Sequence, residues 1–134
     1  MFGKFAVVIA SFIASLAVLI STALAHHSMA GFDRTQTVMI EGTVKEFSWT
    51  NPHCWIELES VKDGKPITWN FEMTAPAYLV RAGWKKTSLK PGMKVTVTGS
   101  PLRSGEPGAL FVSVKFADGT VLLGRAAPAD KGKQ

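Results

Sequence analysis

Apolar and polar positions change their rhythm along the chain. Phe5 to Ile20 is an unbroken run of apolar and small residues behind one basic residue, Lys4, and it leads into Ser21-Thr22-Ala23-Leu24-Ala25. Ala23 and Ala25 form the Ala-x-Ala pair that a signal peptidase reads. Residues 1–25 are therefore expected to be a signal-peptide helix, removed after Ala25. The alternative is a retained anchor, since a spanning helix needs about 20 apolar residues; no basic stop-transfer cluster follows the run, however. With cleavage, His26 becomes the first residue of the working protein.

From Thr37 the period becomes two. Val38, Ile40, Gly42 and Val44 point one way and Met39, Glu41, Thr43 and Lys45 the other, as in a half-buried strand. Phe47 and Trp49 have switched parity, which predicts a β-bulge near Lys45-Glu46 and a sharp bend. Thr50-Asn51-Pro52-His53 reads as a turn. Cys54 to Val61 alternates again, with Cys54, Ile56 and Leu58 opposite Trp55, Glu57 and Glu59. Asp63-Gly64 predicts a hairpin, after which Ile67, Trp69, Phe71 and Met73 line one face of a third strand.

The period then shifts. Thr74 is expected to cap a short helix, with Ala75-Pro76 in its first turn, Tyr78, Leu79 and Ala82 as its apolar stripe and Gly83 at its end. Leu89-Lys90-Pro91-Gly92 leads into a fourth strand carrying Met93, Val95, Val97 and Gly99. Leu110, Val112, Val114 and Phe116 make a fifth, and Val121-Leu122-Leu123 pair briefly after the Asp118-Gly119 turn. The predicted core unites Val38, Ile40, Val44, Ile56, Leu58, Trp69, Phe71, Val95, Val97, Val112 and Val114. His26 to Gln36 has no period and reads as an extended arm anchored by Phe32.

Three strands, a short helix and two or three more strands, the first one bent, is the order of a small five- to six-stranded OB-like Greek-key barrel, a mostly β fold. Closure removes the exposed sheet edges that invite aggregation. An open sheet or sandwich with the helix across one end is the alternative. Residues 26–124 are assigned to the barrel and 125–134, polar and rich in Ala, Lys and Gly, to a flexible tail.

Composition narrows the functions. The net charge of +5 is spread along the chain, which favours solubility over a nucleic-acid partner. The single cysteine, Cys54, cannot form an internal disulfide and is expected in the core. No G-x-S-x-G, glycine-rich phosphate loop or spaced carboxylate pair is present, with Glu57, Glu59 and Glu72 all falling on strands, so the chain is not expected to be an enzyme.

The chain has three histidines, His26, His27 and His53. An N-terminal histidine offers a metal its α-amino nitrogen and an imidazole nitrogen together. A further imidazole completes a three-nitrogen set that suits Cu(II). The bland alternative makes His26 and His27 a polar end and His53 a hydrogen-bonding turn residue. Trp55, on the polar side of its strand, is a candidate stacking platform for a small ligand, unless it packs against the arm.

His26-His27-Ser28-Met29, Phe32-Asp33, Glu41-Gly42-Thr43-Val44, Trp49-Thr50-Asn51-Pro52-His53 and Leu89-Lys90-Pro91-Gly92, with Val95-Thr96-Val97-Thr98-Gly99, resemble a family of small exported bacterial proteins known only as a domain of unknown function. The segments around Glu72-Met73, Gly83-Trp84 and Ala117-Asp118-Gly119 are similar too. The resemblance spans His26 to Leu123 and implies a periplasmic β-barrel, with no activity attached. Met29 and Cys54 depart from it, standing where Phe and an apolar residue such as Val are usual. The resulting expectation is an exported, periplasmic binding protein that takes copper through His26, His27 and His53. The alternatives are a small-molecule or partner-protein binder using Trp55, and an accessory envelope subunit without a metal.

Overall fold

The computed structural model describes residues 29–125. The expected leader, His26, His27 and the tail beyond Arg125 lie outside the described residues. Residues 1–31 and Phe32–Gln134 form separate units, and the second carries the barrel.

Its elements are β1 (Val38–Ser48), β2 (Trp55–Lys62), β3 (Lys65–Glu72), α1 (Pro76–Arg81), β4 (Lys94–Pro101), β5 (Gly108–Phe116) and β6 (Val121–Leu123). The sheet runs β3-β2-β1-β4-β5-β6, and a parallel pairing of β3 with β5 joins it to itself. Five strands thereby close into a barrel with OB connectivity and the helix between the third and fourth strands. β6 is an extra strand on β5. The expected barrel is what forms, and the open sheet is not.

Closure depends on β1 serving two neighbours. Val38 to Thr43 pair with β4 and Thr43 to Ser48 with β2, with a register shift between Val44 and Glu46 where the parity switch predicts it. At the crossover a side chain on Gly42 would sit on the Glu59 carbonyl and 2.9 Å from Leu58 Cγ. A bare Cα lets the two strands approach. Asp63 and Gly64 adopt φ of 52° and 74°, the positive values that a two-residue hairpin turn needs.

The core joins Val44, Ile56, Leu58, Phe71, Val95, Val97 and Val114 with Cys54, Leu79 and Trp84, and Val38, Ile40 and Trp69 pack partly buried against it. Val112, expected in that core, is 47% exposed. Thr98 pairs with Ser113 but Gly99 with Phe111, so Val112 is the extra residue of a bulge and Phe111 takes the inward place. Thr74 does not cap the helix. Ala75 holds the N-cap position without a side-chain bond, because the Thr74 carbonyl accepts the Cys54 amide at 3.2 Å and keeps that residue in the β2–β3 ladder. Leu79 is the one helix residue that is buried, while Tyr78 faces solvent. Phe32 is buried and bridges to Leu102 as an anchor should. The expected extended arm is not found on either side of it: Met29 and Ala30 are helical, and the Gln36 amide donates to the Asp33 carbonyl at 3.2 Å and closes a turn. Among the described residues, no helix is long and apolar enough to cross a membrane.

Candidate functional site

The loop from Trp49 to Cys54 joins β1 to β2 and is tied internally. The Thr50 hydroxyl donates to the His53 carbonyl at 2.9 Å, and the Cys54 thiol reaches the Thr50 carbonyl at 3.8 Å. Cys54 continues the β2–β3 ladder one step past the strand, its carbonyl accepting the Met73 amide at 2.9 Å. His53 is therefore seated beside the end of β3 by the Thr50 hydroxyl on its own carbonyl and by the backbone bonds of Cys54 that follow it.

Alternation then sets the side chains apart. Cys54 points inward and is fully buried, and desolvation pushes its thiol pKa up. A buried, protonated thiol is no metal ligand, in keeping with the core role expected for it. His53 and Trp55 point the other way, with Trp55 39% exposed. Glu72 stands directly opposite Trp55 in the register and is adjacent to Leu110 of β5.

Glu72 is the residue that the sequence reading missed. Its side chain is 10% exposed, and its Oε1 lies 2.8 Å from His53 Nδ1. The approach falls within ion-pair range but off the line of the ring N–H, so Nδ1 has no aligned hydrogen bond although it is buried. The His53 side chain as a whole is 37% exposed. That exposure lies on atoms other than Nδ1, and Nε2 is not among the buried atoms without a partner. The signal for Glu72 is present in the sequence. Counting outward from the Asp63-Gly64 turn places it opposite Trp55 and diagonal to His53, within reach of a long side chain.

Of the expected site residues, His53 and Trp55 share one outer face, and Glu72 joins them. His26 and His27 lie outside the described residues. Among the described residues no three His, Cys, Asp or Glu side chains gather as a metal site. A metal at His53 would need donors from elsewhere. The chain joins the barrel at Phe32, whose neighbour Asp33 donates its amide to the Pro101 carbonyl at 2.8 Å beside the β4–β5 loop. From Pro101 the tier runs through Ala109 and Phe71 to Ile56. That is three strand spacings, about 14 Å along the wall.

Comparison with curated proteins gives no match. A family model does match, over residues 13–111, a span that holds all three histidines, Trp55 and Glu72. The chain belongs to that family, the family of unknown function DUF6152.

Proposed function

We propose that this is an exported, periplasmic copper-binding protein whose site unites the amino terminus exposed at His26 with His53. The α-amino nitrogen and imidazole of His26 would chelate the ion, His53 would supply the third nitrogen, and His27 stands by as a further imidazole. The observation that carries this reading is His53 itself, held by its loop with one ring edge against Glu72 and the other towards solvent.

Loop placement supports it. The β1–β2 and β4–β5 loops bound the ligand face of OB-type barrels in general. Here the first carries His53 and the second lies beside the arm's anchor.

The test is a Cu(II) competition titration of protein that starts at His26, its processing checked by intact mass. A His53→Ala variant should keep its far-UV spectrum and lose at least about tenfold in affinity, or about 1.4 kcal/mol. A chain extended by an N-terminal Met should lose more, because the α-amine is then blocked. Unchanged affinity in both variants would remove the site. A second reading rests on the exposed ring of Trp55 beside His53, a platform for an aromatic ligand. Binding of such a ligand by copper-free protein, abolished in Trp55→Ala, would favour it.

A further inference from the structure

We infer that Glu72 is a positioning residue that fixes His53 as the Nδ1–H tautomer and thereby makes Nε2 the metal-facing nitrogen. The tautomer stands on geometry alone; its consequence for copper rests on the function proposed above.

The argument begins with two atoms. His53 Nδ1 and Glu72 Oε1 are 2.8 Å apart. A bare Nδ1 lone pair facing a carboxylate oxygen at that distance would put two acceptors in contact without a proton between them, which burial makes costly. Nδ1 is buried and has no other partner among the described residues. A proton on Nδ1 turns the contact into an attraction. The neutral ring then carries its lone pair on Nε2, on the solvent side. Metal-bound histidines are commonly arranged in this way, with the second ring nitrogen donating to a carboxylate that holds the ring and raises its basicity.

Position in the fold explains why Glu72 can do this. It ends β3, is flanked by the Trp55 and Leu110 backbones in register, and is 8% exposed. A carboxyl so enclosed has few conformations, so it orients the imidazole instead of following it.

The experiment has two arms. In copper-free protein at a pH where the ring is neutral, nitrogen NMR of His53 should show a protonated Nδ1 and a bare Nε2. Glu72→Ala should move the proton towards Nε2, and Glu72→Gln, whose amide oxygen still accepts, should restore the Nδ1–H form. In the second arm, Cu(II) affinity should fall about 10- to 100-fold in Glu72→Ala and recover substantially in Glu72→Gln. A wild-type His53 protonated on Nε2, with the carboxyl as the donor, would overturn the inference. So would copper affinity that depends on His53 but is the same in Glu72→Ala as in wild type. If wild-type protein binds no copper, the proposed function fails, while the nitrogen spectrum still decides the tautomer.

Discussion

His53 and Cys54 are adjacent in sequence and opposite in character, because consecutive side chains leave a strand on opposite faces. The inward thiol has its pKa raised by desolvation. A raised thiol pKa contributes stability that is fully present below the ordinary thiol range and is lost as pH rises through the folded value. Native protein at neutral pH should therefore leave Cys54 unmodified by a thiol reagent that labels it at once in denaturant; rapid native labelling would place the thiol at the surface. Asp33 behaves in the reverse sense. The Thr35 hydroxyl at 2.6 Å and the Thr35 amide at 3.1 Å hold its carboxyl below the usual range, with Gln36 and Arg103 adding to the effect. A lowered carboxyl contributes stability that is present above pH 3.8 and is lost as pH falls through the folded value. Asp33→Asn should accordingly lower the denaturant midpoint at pH 7, and the gap to wild type should narrow in acid.

At the scale of elements, what is legible in a sequence depends on whether the signal is local. The bend in β1 shows as a parity switch between Val44 and Phe47, and the β2–β3 register follows from Asp63-Gly64 alone. The same register makes Glu72 a neighbour of His53, information that lies in the hairpin and not in any motif. The β5 bulge leaves no such mark. Leu110, Val112 and Val114 alternate cleanly, and the shift arises only where Gly99 of β4 pairs with Phe111. Tertiary pairing decides it. Phe111→Ala should therefore cost about 3–5 kcal/mol, whereas Val112→Ser should stay within about 0.5 kcal/mol, both read by chemical unfolding. Equal costs would contradict the register. β6 depends on another long-range contact, the indole N–H of Trp84, which donates to the Leu123 carbonyl at 2.8 Å. The ring itself is buried against Phe47 and Phe111. Trp84→Phe keeps most of that packing and loses the bond. It should cost about 1 kcal/mol and speed amide exchange in Val121–Leu123 more than in β4. Uniform acceleration would deny Trp84 this local role.

For the whole molecule, closure of the barrel gathers parts that are far apart in sequence. The end of β1, the start of β2, the end of β3 and the start of β5 meet in one region through the tier from Phe47 and Ile56 to Phe71 and Ala109. His53 and Glu72 sit at its border. The proposed copper site is a property of that arrangement, with the arm supplying the His26 chelate and the loop supplying His53. Paramagnetic broadening tests this most directly. One equivalent of Cu(II), added to isotope-labelled protein that starts at His26, should erase the amide signals of Ser48, Trp55 and Glu72. The Lys62–Lys65 hairpin, about 23 Å away along β2, should keep its intensity. Intact signals around Trp55 and Glu72, with broadening confined to the N-terminal arm or spread over the hairpin, would contradict the account.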